Sequence, residues 1–276
     1  MSILTYFRRG LEYVLYGQPI KHITCNVNVL SYGESLRGKK IVITGGGRGL
    51  GFSMAKKFIG EGASVLISGR DKDSLKKASE ELRCNYSLLD VTDVCSFHKF
   101  LNEANQLLGG VNCLVNNAGV SMHEGSIRNV TSEQFDLQFN TNLKGSYFLA
   151  KEFVNLLETE GRKGEILFIS SEMGFLSDNL PYGITKAAIN SFVQGLAYEV
   201  IKSGIRVNGI APGVTASDMT GFKVEENLYL PTNRSERVYL PEEVAEVASF
   251  LLSDISLCIS GQIIVCDEGK VINFRR

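Results

Sequence analysis

Residues 39–51 read KKIVITGGGRGLG, and this stretch decides the fold. Its first half is short, apolar and rich in β-branched side chains, which indicates a buried strand. Its second half gathers glycines just before a segment, FSMAKKF, that has helical spacing. Glycines at a strand-to-helix turn let a bound group approach the backbone closely, and the free N–H groups at the helix start favour an anion. The stretch therefore predicts a strand, a phosphate-binding turn and a helix.

The same unit repeats along the chain. Six further apolar runs lie at 64–69, 84–90, 111–119, 164–171, 205–213 and 261–269, and segments with helical spacing separate them. Runs that are short and apolar on both faces are typical of strands buried in a parallel sheet. The alternation predicts an α/β fold, a doubly wound parallel sheet (Rossmann fold) of about seven strands with helices on both faces. In such a sheet, ligands bind beyond the carboxyl ends of the strands.

The composition limits the number of domains and the classes of partner and site that we expect. The chain has 276 residues, of which 44% are hydrophobic, so we expect one domain over residues 39–276 after an N-terminal extension, residues 1–38. The net charge of −1, without a long run of like charge, gives no reason to expect a nucleic-acid partner. The six cysteines contain no CxxC pair, so neither a disulfide framework nor a metal site is expected.

The first residues, MSILTYFRRGLEYVLYG, leave two interpretations open. Arg8, Arg9 and Glu12 interrupt the apolar run, so it predicts neither a signal peptide nor a membrane span, and we expect a cytoplasmic protein. An amphipathic arm that contacts a partner subunit or a membrane surface is one interpretation. An arm that covers its own domain is supported at least as well, so membrane contact is not favoured.

Several short motifs stand where the predicted strands end. Gly45, Gly49 and Gly51 follow the first strand at i, i+4 and i+6, a spacing that differs from GxGxxG. The remaining motifs, in chain order, are Asn116-Asn117-Ala118-Gly119, Asn142 in FNTNLKG, Ser171 in ISSEMG, Tyr182-Gly-Ile-Thr-Lys186 and Pro212-Gly213. Together they resemble the TGxxxGxG, NNAG and YxxxK motifs of the short-chain dehydrogenase/reductase family over about residues 39–269.

The pair Tyr182 and Lys186 suits acid–base chemistry by residue type alone. At i and i+4 the two side chains share one face of a helix, one turn apart. A neighbouring ammonium favours the phenolate, so we expect the pKa of Tyr182 to lie below its ordinary value near 10 and the phenol to serve as a general acid/base. A hydroxyl from Ser171 can hold a carbonyl oxygen toward it.

The family resemblance implies a role for each of four catalytic residues. Ser171 would orient the substrate, Tyr182 would pass the proton, and Lys186 would also bind the nicotinamide ribose. Asn142 would anchor a water leading to Lys186, although a lone asparagine can equally satisfy buried backbone groups.

Two arginines indicate which dinucleotide binds. Relatives that prefer NAD usually end the second strand with an acid, but here Gly69 stands in that place and Arg70 follows it. Arg48, on the glycine turn, is a second cation that can reach the adenosine 2′-phosphate. NADP (NADPH) is therefore the expected cofactor, and NAD is less favoured. The expected cofactor-binding residues are Gly45, Arg48, Gly49, Leu50, Gly51, Arg70, Asp90, Asn117, Ala118, Gly119, Tyr182, Lys186, Pro212 and Gly213.

The expected function is an NADP(H)-dependent oxidoreductase that acts on a carbonyl or secondary alcohol. Three alternatives stay open: a 3-oxoacyl thioester reductase in particular, a reductase of carbon–carbon double bonds, and a non-catalytic NADP-binding sensor or scaffold. Enoyl reductases of this superfamily usually space Tyr and Lys more widely than YxxxK does. The family resemblance further implies a homodimer or homotetramer.

The substrate is open at this stage among acyl thioesters, sugars, steroids and small ketones. Residues 217–240 are expected to cover the substrate pocket as a lid. Tyr182 follows Ser171 by eleven positions, about two fewer than is common in the family, so the pocket wall between them is short. Ser217 stands where the family has a threonine after the Pro-Gly turn.

Overall fold

One parallel sheet organises the chain, in a computed structural model that describes residues 33–224 and 228–272. Its strands lie in the order β3-β2-β1-β4-β5-β6-β7. Their bounds are β1 Lys40–Thr44, β2 Ser64–Gly69, β3 Asn85–Leu88, β4 Cys113–Asn116, β5 Gly164–Ile169, β6 Ile205–Pro212 and β7 Ile263–Cys266. The predicted Rossmann-type fold is confirmed, and each of the seven apolar runs contains a strand.

Helices cover both faces of the sheet. They are α1 Gly49–Gly60, α2 Lys72–Leu82, α3 Phe97–Leu108, α4 Ser132–Gln138, α5 Ser146–Thr159, α6 Pro181–Val200 and α7 Pro241–Leu252, with a π-helical segment Phe139–Gly145 between α4 and α5. Phe97 and Phe153, from α3 and α5, are fully buried in the core on one face, whereas Met54 and Phe58 of α1 are fully buried on the other.

The edge strand β3 differs from the expectation of strands that are apolar on both faces. Asn85 is exposed and Leu88 is 53% exposed. The physical reason is position, because β3 pairs only with β2 and lies at the end of the sheet, where one side and part of each face meet solvent. The expectation holds for the central strands β5 and β6, in which every residue is buried.

The strand order places a crevice at the centre of the sheet. From β1 the chain moves outward through β2 and β3 and then returns to the other side of β1 with β4. Neighbouring loops leave β1 and β4 in opposite directions at such a reversal, which opens a cleft beyond their carboxyl ends. The candidate site lies at this edge.

The N-terminal boundary touches the domain core. Leu36 is fully buried, its N–H donates to the Glu61 carbonyl at 2.9 Å, and the Ser35 hydroxyl donates to the Glu61 carboxylate at 2.9 Å. Residues 33–38 therefore pack on the end of α1. The division of the chain at residue 38 stays a prediction, since most of the expected extension, with Arg8, Arg9 and Glu12, lies outside the described residues.

The predicted lid segment is irregular. Isolated bridges pair Thr215 with Tyr239, Ser217 with Phe222 and Tyr229 with Arg237. Residues 225–227 of this segment fall outside the description, and its movement as a lid stays a prediction.

Among the described residues, no helix is both long enough and apolar enough to cross a membrane.

Candidate active site

The glycine turn between β1 and α1 forms the floor of the cleft. Gly45 has φ of 67°, a left-handed conformation that glycine adopts without strain. A Cβ on Gly51 would lie 2.2 Å from the Gly45 carbonyl oxygen, so no larger residue fits there. The helix starts after Arg48 with no side-chain cap and no acidic residue in its first turn. Its first N–H groups are thus available to an anionic ligand.

The end of β4 is tied to the same turn. The Asn117 side-chain amide donates to the carbonyl oxygens of Thr44 and Gly45 at 2.9 and 3.1 Å. The backbone N–H groups of Asn117 and Ala118 both donate to the Thr44 hydroxyl at 3.0 Å. These bonds tie the end of β4 directly to the glycine turn, so hydrogen bonds within the protein join the two sides of the crevice.

A cavity of about 770 Å³ follows this crevice. Every expected cofactor-binding residue lines it, and so do three of the four expected catalytic residues. Those three are Ser171, Tyr182 and Lys186. Gly45, Arg48, Gly49, Leu50, Gly51, Arg70, Asp90, Asn117, Ala118, Gly119, Pro212 and Gly213 complete the set.

Ser171, Tyr182 and Lys186 meet within the cavity. Pro181 starts α6, which puts Tyr182 in its first turn and Lys186 one turn later. The Lys186 ammonium lies 5.6 Å from the centre of the Tyr182 ring and donates to the Ile169 carbonyl at 2.7 Å. The Ser171 hydroxyl is hydrogen-bonded to the Tyr182 phenol and also accepts from the Met173 N–H at 3.2 Å.

The expectation of a lowered phenol pKa is wrong for this structure. Burial raises the pKa of Tyr182 above its ordinary value, the Ser171 hydrogen bond opposes that rise, and the Glu172 carboxylate adds to it. The ammonium that was expected to lower the pKa is directed to the Ile169 carbonyl. Burial also lowers the pKa of Lys186 to about 8, which weakens its effect as a fixed positive charge.

Asn142 does not line the cavity. It sits in the π-helical segment, where its side-chain oxygen accepts from the Val120 N–H at 2.8 Å. Its amide donates to the Val120 carbonyl at 2.9 Å and to the Thr185 hydroxyl at 3.3 Å. The side chain thus satisfies buried backbone and joins the loop after β4 to α6, and its expected catalytic role stays a prediction.

The two arginines both line the cavity. Arg48 is largely exposed, with its Nε 3.4 Å from a carboxylate oxygen of Asp218. Arg70 is exposed and, among the described residues, has no hydrogen bond or ion pair. Asp90 accepts from the Thr92 N–H at 2.9 Å and from the Thr92 hydroxyl at 2.8 Å, so its carboxylate also closes a local turn.

Apart from Asp90, the carboxylates that line the cavity were not predicted from the sequence, and Glu172 and Asp178 are the ones next to the catalytic residues. Glu172, next to Ser171, is 3% exposed and accepts from the Lys270 ammonium at 2.6 Å. Asp178 accepts from the Leu180 N–H at 3.0 Å just before α6. A glutamate directly after an apolar strand was a local signal that a buried charge needed a partner, but nothing near it in the sequence identified Lys270 as that partner.

The buried ammonium predicts a measurable pH effect. Between the folded pKa of about 8 and the ordinary 10.5, the unfolded chain holds more protons at Lys186 than the folded chain does. The cost of burying Lys186 is therefore present below pH 8 and is relieved as the pH rises. The unfolding free energy of the wild type should therefore rise by about 2 kcal/mol between pH 7 and pH 9.5 because of Lys186. Lys186→Met has no ammonium to bury and should lack this rise.

Urea unfolding of both proteins at the two pH values measures this difference. Lys99→Met is the matched control, because the Lys99 side chain is 84% exposed and its loss should leave the rise unchanged. A free-energy difference between Lys186→Met and wild type that is the same at both pH values would contradict the assignment.

Comparison with known proteins gives consistent matches over this domain. Residues 45–270 match a family model described as "Enoyl-(Acyl carrier protein) reductase". A 3-oxoacyl-(acyl-carrier-protein) reductase of Chlamydia trachomatis is 34% identical over 249 residues, covering 85% of this chain and 98% of that protein. A tropinone reductase homolog of Arabidopsis thaliana is 30% identical over 250 residues, covering 87% and 95% respectively.

Solved structures agree with the sequence matches. The 3-ketoacyl-(acyl-carrier-protein) reductase of Brucella melitensis, complexed with NADH, superimposes with a TM-score of 0.80 at 28% identity. The match covers 86% of this chain and all of that chain.

Proposed function

Since the chain belongs to the short-chain dehydrogenase/reductase family and is an oxidoreductase of that family, we propose that it is NADP(H)-dependent and acts on a carbonyl or secondary alcohol. The observation that carries the proposal is the meeting of Ser171, Tyr182 and Lys186 in the cavity that begins at the glycine turn. When bound, the nicotinamide supplies or accepts the hydride. The protein supplies the proton, the orientation and the walls of the site.

The cofactor residues fit a dinucleotide. The glycine turn and the uncapped start of α1 would hold the pyrophosphate, and the end of β4 with Asn117, Ala118 and Gly119 would bound the nicotinamide half. A Cβ at Gly51 would collide with the Gly45 carbonyl and the Asn117 amide, so glycine there is required for α1 to pack closely against the turn.

The three catalytic side chains divide the work. The Ser171 hydroxyl would donate to the carbonyl oxygen and hold it near the Tyr182 phenol. The raised pKa keeps this phenol protonated at neutral pH, the state required of a proton donor. The site therefore suits reduction near neutral pH, whereas alcohol oxidation would require Tyr182 to lose its proton first and would gain with rising pH.

NADP is favoured by charge and not by space at the end of β2. A Cβ on Gly69 would make only ordinary contacts, with Leu75 at 3.7 Å, so an acid would fit there. Its absence removes repulsion of a 2′-phosphate, while Arg48 and Arg70 offer two cations. The Brucella melitensis reductase was solved in complex with NADH. That complex concerns the cofactor of that protein and does not decide the cofactor for the Gly69-Arg70 pattern of this chain.

One narrower function is supported by relatives. The Chlamydia and Brucella proteins carry names of 3-oxoacyl reductases, so a 3-oxoacyl thioester is a candidate substrate. The one-turn spacing of Tyr182 and Lys186 argues against reduction of a carbon–carbon double bond.

The cytoplasmic location and the homodimeric or homotetrameric state stay predictions. Sedimentation of the purified protein tests the oligomeric state.

The proposed function is tested with purified protein and a panel of ketones, 3-oxoacyl thioesters and enoyl thioesters. We expect oxidation of NADPH with ketones, at a kcat/KM at least about tenfold above that with NADH. Turnover of enoyl but not carbonyl substrates would replace the proposed reaction. NADPH binding without turnover of any substrate would favour the non-catalytic alternative.

A further inference from the structure

Lys270 lies outside the cavity but is bonded to a residue of its wall. Its ammonium donates to a carboxylate oxygen of Glu172 at 2.6 Å, and Glu172 directly follows Ser171 in the chain. Glu172 and Ser171 both line the cavity, whereas Lys270 is not among the described residues that do so. Any effect of Lys270 on the reaction therefore passes through the residues that it contacts.

A single helical turn, Glu172–Phe175, is built on Ser171. The Ser171 hydroxyl accepts from the Met173 N–H at 3.2 Å, and the Ser171 carbonyl accepts from the Gly174 N–H at 3.0 Å. The same hydroxyl is hydrogen-bonded to the Tyr182 phenol. A displacement of this turn would therefore move the hydroxyl that is proposed to hold the carbonyl oxygen.

Helix α6 holds this turn on one side. A Cβ on Gly174 would lie 2.9 Å from the Lys186 carbonyl oxygen, so the turn packs closely on the helix there. The Asn190 amide donates to the Gly174 carbonyl at 3.1 Å, and the Asn190 side-chain oxygen accepts from the Ser170 hydroxyl at 2.6 Å. The catalytic serine is thus flanked by residues that are bonded to the helix of Tyr182.

Lys270 holds the same turn from a second element. Glu172 is 3% exposed, and its other carboxylate oxygen is buried and has no hydrogen-bond partner among the described residues. Within the described part of the chain, the Lys270 ammonium is the cation paired with this carboxylate. Removal of one member of a buried ion pair is strongly unfavourable, because the remaining charge is left without a partner. Without Lys270, Glu172 would be drawn toward solvent, together with the turn that carries it.

The turn after β7, residues 267–272, constrains Lys270. Asp267 is 2% exposed, and its two carboxylate oxygens accept from the N–H groups of Gly269 and Val271, each at 2.8 Å. These bonds tie the backbone immediately before and after Lys270 to one buried side chain. A constrained backbone lowers the entropy cost of holding an ion pair in one geometry.

The same turn also contacts the predicted lid segment. The Lys270 ammonium lies 3.4 Å from the side-chain oxygen of Asn233, which is 3% exposed and donates to the Arg237 carbonyl at 2.6 Å. Glu268 pairs with the Arg237 guanidinium at 3.1 Å. Lys270 therefore contacts both the turn at Ser171 and the lid segment, and the shorter of its two bonds is to Glu172.

On the basis of the proposed function, we propose that Lys270 is a positioning residue for the reaction. Its ammonium keeps Glu172 buried and so keeps the turn Glu172–Phe175 in place. The turn in turn holds the Ser171 hydroxyl beside the Tyr182 phenol. The motifs TGxxxGxG, NNAG and YxxxK do not include this lysine.

Lys270→Met tests the proposal in the full chain, with NADPH and the substrate that the wild type reduces fastest in the panel. We expect kcat to fall about 30-fold, because a small displacement near the reacting groups can cost up to about 100-fold. The Kd for NADPH should change by less than about threefold, because the contacts of Lys270 are made away from the glycine turn. Lys270→Arg retains a charged donor for Glu172 and should recover most of the loss, to about threefold below wild type.

A neutral pair separates positioning from stability. Glu172→Gln combined with Lys270→Met leaves no buried charge, and replacement of a buried ion pair by neutral side chains is often neutral for stability. Urea unfolding of this double variant should therefore give the wild-type free energy. Its kcat should stay about tenfold below wild type, because the bond between the two turns is gone. Recovery of wild-type kcat together with wild-type stability would make the pair merely structural and would overturn the proposal.

Lys76→Met is the matched control. Lys76 pairs with Glu80 at 4.0 Å on α2, and the two side chains are 63% and 68% exposed, so loss of this pair should change neither kcat nor stability. Unchanged kcat in Lys270→Met would overturn the inference and leave the proposed function standing. If Lys270→Met does not fold, the neutral double variant decides. A wild type that binds NADPH but reduces no substrate would contradict the proposed function, on which the inference rests.

Discussion

Tyr182→Phe is expected to lower kcat for ketone reduction about a thousandfold or more, while the Kd for NADPH changes by less than about fivefold. The substitution removes the phenol proton and one hydrogen bond to Ser171 but keeps the buried ring. Loss of a positioned proton donor acts on the transition state, so kcat and kcat/KM should fall together. Steady-state rates and fluorescence titration with NADPH separate the two effects.

Tyr198→Phe is the matched control for this prediction. Tyr198 lies on the same helix, α6, but is 88% exposed, so the same substitution there should leave kcat and binding unchanged. Wild-type turnover by Tyr182→Phe would remove Tyr182 from the reaction. A large loss of NADPH binding with unchanged kcat would instead make Tyr182 a cofactor-binding residue.

The fold could be predicted because its signals are local. Each strand of a parallel sheet is a short apolar run. A glycine turn, or a proline in the first turn of a helix, can likewise be recognised within a few consecutive residues. The edge position of β3 is not local, since it depends on which strands find neighbours, and so Asn85 and Leu88 were expected to be more buried than they are.

The positions of the site residues were predictable, but their electrostatics were not. Motif order placed Ser171, Tyr182 and Lys186 at strand and helix ends, and they line one cavity. The pKa of Tyr182 depends on burial and on Glu172, and the direction of Lys186 depends on the Ile169 carbonyl. These are tertiary contacts. The Glu172–Lys270 pair, 98 residues apart, is another that no short motif encodes.

The double variant Arg48→Ala, Arg70→Ala is expected to lower kcat/KM for NADPH by about 100-fold to 10,000-fold and to change that for NADH by less than about threefold. Each charged hydrogen bond to a phosphate contributes on the order of 1.5–3 kcal/mol, and NADH lacks the phosphate. Adding Gly69→Asp, which the space beside Leu75 accommodates, should lower NADPH use further and raise NADH use. Arg128→Ala, on an exposed segment elsewhere, is the control for loss of positive charge.

Arg48 requires a second control because it also contacts the lid segment. Its ion pair with Asp218 joins the glycine turn to residues 217–240, and both side chains are more than 70% exposed, at 75% and 72%. An exposed pair of this kind contributes at most about 1 kcal/mol. Asp218→Asn breaks it and frees Arg48, so NADPH use should stay the same or improve. If Asp218→Asn instead reduced NADPH and NADH use as strongly as Arg48→Ala does, Arg48 would act by holding the lid. If Asp218→Asn spares NADPH use while Arg48→Ala impairs NADPH and not NADH, the phosphate is the remaining target for its charge.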